Sequence, residues 1–367
     1  MIQTPLSRFS PPRRAVMAAV ALLALAFGAL APAPASAQPL GAWFTMSGVP
    51  VHGYIRIPHS AALNPTNRFT FEAWVAVTDS GICSSIAGKG YLHTWWVGVC
   101  GTTLRSYLKG SPSLKNGGVV PAGTWTHIAV VFNGTRRIHY VNGEQVLNVA
   151  ETGPLPTNSA EMRIGSDVDY QITPHGAIDE VRLWNVARSQ AQIRQFINQR
   201  INTAQPGLVG VWALDGSGDD VVGSRDGSVQ GAGTGFLTFP VAISCNPVVL
   251  RGVLPTSLCL QDRFVVTGKY RTGAPGTAET TESAPIPSTI SSGVLAFPDP
   301  DTWQVLANVI DACASTGKFT VALSSPSSLF QRLEVFDIRA GVAKIYFRYP
   351  GPPAGPVVDT TSFATCP

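Results

Sequence analysis

The feature that most constrains the fold is a series of short β-patterned runs, separated by turn residues, between positions 54 and 184. Many short strands with regular turn signals predict a β-sandwich or barrel. Asn142 and Gly143 lie between two of the runs and predict a hairpin, because both residues tolerate positive φ. The clearest runs are 54–57, 69–77, 91–99, 127–132, 137–141, 162–164 and 177–184.

One segment is typical of a helix. Ser189 and Gln192 have the spacing of a capping box, and an apolar stripe follows at helical spacing. We expect this short helix to cover one edge or face of the sheets, and the run 208–214 to return as a strand. The stripe comprises Ile193, Phe196, Ile197 and Ile201.

The first 37 residues predict a secretory signal. Arg8, Arg13 and Arg14 precede an apolar run at 15–30, and the small residues Ala35-Ser36-Ala37 follow as a cleavage site. A membrane anchor is the alternative, but the run is shorter than the roughly 20 residues of a span. Removal of three arginines lowers the formal net charge from +4 to +1. The mature chain therefore has no electrostatic reason to bind nucleic acid or an anionic membrane.

The remainder of the chain predicts two domains, 38–240 and 241–367, with 1–37 as the signal peptide. A stretch rich in Gly, Ser and Asp precedes the boundary at Pro240. Residues 271–292 show no periodicity and predict a long mobile loop, and 303–310 suits a helix or a strand equally well. The strands expected in the second domain are 264–270, 294–297, 319–323, 333–338 and 344–349.

Six cysteines in an exported protein favour disulfides. If the two halves are separate domains, Cys83 pairs with Cys100 and three pairings remain open for the other four cysteines. Zinc ligation is disfavoured because the chain has no C-x-x-C pair, and no histidine lies near those four.

The first half contains six sequence blocks whose order and spacing are similar to those of a known family. It resembles the laminin-G-like jelly roll of the concanavalin A-like lectin/glucanase superfamily over about 42–235. The resemblance implies two curved antiparallel sheets packed face to face. With the helix and the strands expected after 240, the predicted fold class is an all-β, antiparallel jelly-roll sandwich with one short helix and a second, smaller β domain. Lectins, adhesion modules, pentraxins and glucanases share this fold, so it does not specify the chemistry. The blocks are 54–57, 69–75, 125–130, 140–143, 163–165 and 178–184.

The second half resembles, more loosely, an uncharacterised C-terminal β domain of secreted bacterial proteins. This likeness implies that 303–310 is a strand. It also implies the bridges Cys245–Cys259 and Cys313–Cys366. The carrying residues are 258–260, 263–264, 297–299, 311–313, 359–360 and 363–366.

The carboxylates do not form a catalytic motif. Retaining glucanases of the superfamily carry E-x-D-x-x-E on one strand, where alternation places nucleophile and acid on the same face, and this motif is absent. Asp179 and Glu180 are adjacent on a strand and should face opposite ways. We therefore predict a protein that is not an enzyme, with a glycoside hydrolase as the alternative. The other isolated acids are Glu72, Glu144 and Glu161.

A calcium site is the favoured metal chemistry. Asp167 and Asp169 follow a strand two positions apart, so both can face one oxygen-rich site, and the segment resembles the acidic calcium loop of pentraxins. The second acidic pair of that family would fall near 92–95, where this chain has no carboxylate. Asp179 and backbone carbonyls are the candidates to complete the site. The alternative is a simple Asp-rich turn.

The candidate ligand-binding residues are aromatic. Trp95 and Trp96 are adjacent on a presumed strand and must face opposite ways, so one can pack in the core while the other contacts a sugar. The alternative is that both are buried. The full candidate set is Tyr91, His93, Trp95 and Trp96, whereas Trp74, Trp125, His127 and Trp184 are interpreted as packing or strand-end residues.

These observations predict a secreted bacterial, non-catalytic binding module. Its expected partner is a carbohydrate or an extracellular protein, with Ca²⁺ as a candidate cofactor, no nucleic acid, and no membrane span after signal removal. A structural or adhesive surface protein is the further alternative. An exposed apolar patch without an aromatic-lined groove would favour it.

Overall fold

The computed structural model describes residues 41–44, 53–78, 81–109, 113–236, 245, 257–277, 279, 281–282, 284–287, 289–297 and 303–367. The expected signal peptide at 1–37 and the expected boundary at Pro240 lie outside these residues. No helix within them is long and apolar enough to cross a membrane.

The N-terminal sandwich, residues 41–236, is built from antiparallel strands. Its strands are β1 (Ala42–Phe44), β2 (Tyr54–Ile57), β3 (Phe69–Val77), β4 (Cys83–Gly88), β5 (Trp96–Cys100), β6 (Thr103–Tyr107), β7 (Lys115–Val119), β8 (Thr126–Phe132), β9 (Arg136–Val141), β10 (Glu144–Ala150), β11 (Met162–Ile164), β12 (Gly176–Trp184), β13 (Leu208–Trp212), β14 (Ser228–Gln230) and β15 (Thr234–Phe236). A 3-10 turn, Ala61–Leu63, precedes β3.

Within the described residues these strands form two sheets. Sheet I has the order β10-β9-β8-β3-β12-β1-β15, with β13 paired to β12, and sheet II has the order β14-β2-β11-β4-β5-β6-β7. One hydrophobic core lies between them, because alternate residues of each strand point inward. Phe71 and Val130 enter this core from sheet I, and Ile55 and Val97 enter it from sheet II. The all-β jelly-roll prediction is confirmed.

Local sequence explains the tightest turns of this sandwich. Asn142 and Gly143 join β9 to β10 with φ of 50° and 73°, which confirms the predicted hairpin. Cys83 and Cys100 are directly paired in the register of β4 and β5, and their disulfide is present.

The outer face of sheet I is covered by the helix α1 (Gln190–Phe196). Ser189 and Gln192 form the expected capping box, and Ile193 packs on the sheet. Arg182 of β12 donates to the carbonyls of Phe196 and Gln199 at 2.9 and 2.6 Å. The helix therefore ends at Phe196, and Ile201 at the end of the predicted stripe packs separately, with Trp184 and Val211.

The C-terminal sandwich, residues 257–367 with Cys245, has the same two-layer construction. Its described strands are β16 (Ser257–Leu260), β17 (Phe264–Arg271), β18 (Thr281–Glu282), β19 (Ala284–Pro287), β20 (Ser292–Ala296), β21 (Trp303–Ala312), β22 (Lys318–Ser324), β23 (Phe330–Asp337), β24 (Val342–Arg348) and β25 (Val357–Phe363), with the helix α2 (Cys313–Thr316) between β21 and β22.

These strands form sheet III, β16-β17-β23-β24 with β18 beside β17, and sheet IV, β19-β20-β21-β22-β25, in the part of the chain that is described. Phe264 and Leu333 of sheet III share one core with Val309 and Val321 of sheet IV. The ambiguous segment 303–310 is a strand, as the family likeness implied. The prediction of a structureless loop at 271–292 is wrong, because β18 and β19 lie within it.

The two predicted bridges of the second half are also present. Cys245 is joined to Cys259, and Cys313 is joined to Cys366. With Cys83–Cys100, they leave no free cysteine among the described residues, which include all six.

The two sandwiches contact each other through half-buried side chains. Trp74 of sheet I stacks on Phe347 of β24, with ring centroids 5.9 Å apart and planes inclined by 10°. The guanidinium of Arg194 on α1 lies 3.6 Å from the ring centroid of Tyr349. Residues 37–367 accordingly form one compact unit, and the outer face of sheet II is the face that this contact leaves open.

Candidate functional site

The two adjacent tryptophans face opposite ways, as predicted, but both are buried. Trp95 is 2% exposed and lies between the sheets, with its ring centroid 5.3 Å from that of Phe69 and 5.9 Å from that of Phe71. Trp96 is 1% exposed on the outer face of sheet II. The prediction that one tryptophan remains open to a ligand is wrong, and the alternative of two buried indoles is correct. The strand predicted at 91–99 starts only at Trp96, because Tyr91 to Thr94 form a turn and bend.

Tyrosines cover Trp96 and form an aromatic cluster on the outer face of sheet II. Tyr107 is the direct cross-strand neighbour of Trp96, with ring centroids 5.5 Å apart. Tyr91 and Tyr170 approach Trp96 at 6.3 and 6.0 Å and each other at 5.5 Å. Tyr91 and Tyr170 are half-buried, so the cluster, Tyr91, Trp96, Tyr107 and Tyr170, presents parts of two tyrosine rings to solvent.

Two glycines make room for the Trp96 indole. A Cβ at Gly98 would lie 2.2 Å from the Trp96 ring, and one at Gly88 would lie 3.0 Å from it. The indole therefore lies flat against the backbone of β4 and β5. Its Nε1–H donates to Ser85 Oγ at 2.8 Å, which satisfies the polar end of a buried ring.

Asp167 joins the two loops that carry Tyr91 and Tyr170. Its carboxylate accepts hydrogen bonds from the backbone N–H groups of Gly90 (2.8 Å), Tyr91 (2.9 Å), Asp169 (3.0 Å) and Tyr170 (3.2 Å). Asp169 is exposed and accepts from the N–H of Leu92 at 3.1 Å. Burial raises the pKa of Asp167, although the four N–H groups act in the opposite direction. The carboxylates therefore hold the rim of the aromatic cluster in place.

The three predicted calcium ligands are not assembled into one site. Asp179 belongs to β12 of sheet I, whereas Asp167 and Asp169 follow β11 of sheet II. Both oxygens of Asp167 accept hydrogen bonds from N–H groups, so the exposed Asp169 is the carboxylate of this loop that a cation could reach. No group of three or more His, Cys, Asp or Glu side chains suited to a metal ion occurs in the described part of the chain.

Asp179 and Glu180 do not follow the regular alternation of a strand. The register of β12 shifts between Asp179 and Arg182, and Glu180 has a φ of 49°. Burial, followed by the nearby carboxylates of Glu180 and Asp215, raises the pKa of Asp179 well above its usual range. A bulge therefore interrupts the strand at these two acids, so regular alternation does not decide which way each side chain points.

The glutamates that look isolated in sequence are paired with cations in the fold. Glu72 Oε1 lies 3.4 Å from Arg188 Nε, and Glu180 Oε2 lies 2.9 Å from Arg182 Nη2. Glu144 pairs with Arg271 and Glu161 with Arg163. The pair Glu144–Arg271 connects the two sandwiches, and the other pairs lie within the N-terminal sandwich. All of them are explained as structural ion pairs.

Polar groups flank the aromatic cluster. Arg105 of β6 lies near Tyr91 and Tyr170, and its charge lowers the pKa of both phenols. Burial has the larger and opposite effect, so both pKa values are raised overall and the hydroxyls stay neutral. Arg105 Nε also donates to Asn116 Oδ1 at 2.8 Å. His93 is exposed on the turn beside Tyr91.

A buried lysine supports the turn that carries Tyr91. Lys89 Nζ donates to Ala160 O at 2.6 Å and to Asn158 Oδ1 at 2.7 Å, and it lies 3.2 Å from His59 Nδ1. The residue is fully buried, and burial lowers its pKa to about 8.

Lys89 should make stability rise with pH above neutrality. The pKa of the folded state, about 8, is below the value of roughly 10.4 in an unfolded chain, so the unfolded state binds more protons between these values. The free energy of unfolding should therefore increase between about pH 8 and 10, by on the order of 1–3 kcal/mol, relative to Lys89→Met. Urea titrations of both proteins across this range measure the difference. Parallel pH profiles would contradict the prediction.

The comparisons with known proteins agree with this fold. Residues 49–194 match the family model Laminin_G_3, described as the concanavalin A-like lectin/glucanases superfamily. That segment is therefore similar to the laminin-G-like domains of this superfamily. The search of curated proteins found no match.

Solved structures with similar folds include three from different sources. A proposed carbohydrate-binding protein of Bacteroides ovatus is 22% identical, with 56% of this chain and 62% of that chain covered and a TM-score of 0.46. A heptameric SAP-like pentraxin of Limulus polyphemus is 14% identical (55% and 97% covered, TM-score 0.41). The CBM40 of the Ruminococcus gnavus IT-sialidase, bound to α2,3-sialyllactose, is 10% identical (42% and 93% covered, TM-score 0.32). The chain thus spans less than two thirds of the Bacteroides protein.

Sequence reasoning identified part of this site. Tyr91 and Trp96 are in the cluster and His93 is beside it, but Trp95 belongs to the core. Tyr107 and Tyr170 were missed. Tyr107 was missed because the strand that carries it, β6, was not predicted from the sequence.

Proposed function

We propose that this chain is a secreted, non-catalytic carbohydrate-binding protein that holds a sugar on the aromatic cluster of sheet II. The observation that carries the proposal is the gathering of four aromatic rings, two of them half-buried tyrosines, on the sheet face opposite the core. Three disulfides support export, because such bonds persist in oxidising compartments.

The chemistry of the cluster suits a sugar ring. Tyrosine combines a large apolar ring with a polar hydroxyl, and binding sites commonly join such surfaces to a few fixed polar groups. Tyr91 and Tyr170 offer the apolar surface for pyranose C–H groups. Arg105 and Asn116 offer a donor and an acceptor beside it.

The ion pairs of the acids favour a binding role over hydrolysis. A retaining glycosidase needs two carboxyl groups about 5 Å apart beside the substrate, whereas Glu72, Glu144 and Glu161 are each paired with an arginine. The hydrolase alternative would use Asp179 with Glu180 or Asp215. It predicts release of reducing sugar that Asp179→Asn abolishes.

Replacement of a rim tyrosine should weaken sugar binding without unfolding the protein. A glycan array identifies the preferred sugar, and calorimetry then measures its affinity for Tyr91→Ala. Because aromatic anchors in binding sites commonly contribute more than 1 kcal/mol, we expect a loss of about 5- to 10-fold. Tyr54→Ala is the matched control, since Tyr54 is a half-buried tyrosine of the same sheet on β2. Equal losses in the two variants, or no glycan bound by the parent protein, would contradict the proposal.

Calcium assistance is a separate part of the proposal, and it predicts a stabilising effect. An ion that binds only the folded state raises the melting temperature. Millimolar calcium should therefore raise the melting temperature of the parent protein, and Asp169→Asn should remove that rise. Asp219→Asn, an exposed acid of another loop, is the control. An unchanged melting temperature means that Asp167 and Asp169 serve only to join the loops.

A further inference from the structure

A cleft lies between the two sandwiches, and none of the residues of the aromatic cluster lines it. It has a volume of about 270 Å³. One wall is the turn before β8, and the other is the outer face of sheet III. The residues that matter here are Thr124, Trp125, Thr267, Lys269, Arg332 and Glu334.

The backbone register places two like charges side by side on the sheet wall. Lys269 of β17 is directly opposite Arg332 of β23, and Thr267 is opposite Glu334. Their strand neighbours Val266 and Leu333 point into the core, so these four side chains share the outer face. Like charges directly opposite one another destabilise a sheet. Glu282 of β18 is opposite Lys269 on its other side, so an anion in the cleft would share these two cations with acidic neighbours.

Arg332 has an unused donor in the same place. Its side chain is 5% exposed, and its Nε–H is buried without a hydrogen-bond partner in the described part of the protein. Nη2 lies 3.3 Å from Glu334 Oε2. A buried donor without an acceptor costs about 1–3 kcal/mol, and the Nε edge of a guanidinium fits a carboxylate with two parallel hydrogen bonds.

The nearby acids do not satisfy that donor. Glu279 interacts electrostatically with Arg332 and Lys269, but its hydrogen bond is with Asn142 Nδ2 at 2.6 Å. Glu334 is bonded through Nη2 rather than Nε. Among the described side chains, none therefore supplies an acceptor to this Nε–H.

Trp125 gives the cleft its apolar surface. It lies directly before the start of β8, as a strand-end residue, and its side chain is half-buried. The volume is slightly below the roughly 300–1,000 Å³ of typical ligand pockets, which suits one ring. We propose that this cleft binds a single carboxylate-bearing sugar, a uronic acid unit, with its carboxylate on Arg332 and Lys269 and its ring against Trp125.

Saturation-transfer NMR on the full protein tests this site with D-glucuronate and with neutral D-glucose as the matched probe. We expect glucuronate to bind at least about 5-fold more tightly than glucose, because only the acid can pair with both cations. Arg332→Lys keeps the charge but loses the planar edge, and it should weaken glucuronate binding by about 10-fold. Arg339→Lys, at an exposed arginine, should leave it unchanged.

Two further variants separate binding in this cleft from misfolding and from binding at the sheet II cluster. Trp125→Ala changes a half-exposed side chain and should also weaken glucuronate binding, with the melting temperature as the check on folding. Tyr91→Ala should not affect it, so failure of this site and failure of the sheet II site are distinguishable. Equal binding of glucuronate and glucose, no binding of glucuronate at tens of millimolar, or full binding by Arg332→Lys would overturn the proposal.

Discussion

Replacement of Trp95 by alanine should lower the free energy of unfolding by about 3–5 kcal/mol, the usual range for removing a buried tryptophan from a core. The indole lies between sheets I and II and contacts Phe69 and Phe71, so its loss leaves a cavity that two rigid sheets cannot close. Urea unfolding of the parent and the variant measures the change.

A second substitution separates packing from the polar end of the ring. Trp95 Nε1 is buried without a hydrogen-bond partner among the described groups. Trp95→Phe removes this orphan donor and keeps most of the apolar contacts, so it should cost clearly less than Trp95→Ala. Leu92→Ala, at a side chain that is 48% exposed on the preceding turn, should change stability by less than about 0.5 kcal/mol.

The same variants distinguish a core residue from a ligand contact. If Trp95 bound a sugar directly, Trp95→Phe would reduce affinity while leaving the fold intact. We expect the opposite pattern, in which Trp95→Phe binds normally and Tyr91→Ala does not. A loss of less than 1 kcal/mol in Trp95→Ala would place the indole outside the core and contradict this assignment.

The sequence was most informative where alternation and turn chemistry agreed. The strands 54–57, 69–77 and 162–164 have the predicted ends because apolar residues alternate between clear breaks. The first strand of the Cys83–Cys100 hairpin was missed because Cys83–Gly88 is made mostly of small residues. Lys115–Val119 contains two glycines and gives no strand signal.

The environment of the site could not be read from local sequence. Alternation predicts that Trp95 and Trp96 face opposite ways, but it does not say what covers the outer one. Tyr107 covers it from the next strand, and Tyr170 from a loop after β11, far along the chain. The order of strands in sheet II sets these contacts. Similarly, the bulge at Glu180 depends on how β12 pairs with β3.

Asp337→Ala should destabilise the C-terminal sandwich by about 3–5 kcal/mol, because it leaves a buried arginine unpaired. Arg263 Nε and Nη2 each lie 2.7 Å from an oxygen of Asp337, and the side chains are 6% and 0% exposed. Thr365 also bonds to this carboxylate, next to Cys366 of the last disulfide. The pair thus connects the turn after β16 to the C-terminal segment.

The chain contains a matched control for that pair. Asp262 and Arg339 lie 3.6 Å apart with side chains that are 47% and 42% exposed, and such a surface pair contributes only about 0–1 kcal/mol. Asp262→Asn removes the charge and keeps a side chain that tolerates the φ of 51° at this position, so it should leave the urea midpoint nearly unchanged. In the double variant Arg263→Met/Asp337→Asn no charge is left unpaired, and it should regain part of the loss seen in Asp337→Ala. Equal effects of Asp262→Asn and Asp337→Ala would show that burial does not determine the strength of these pairs.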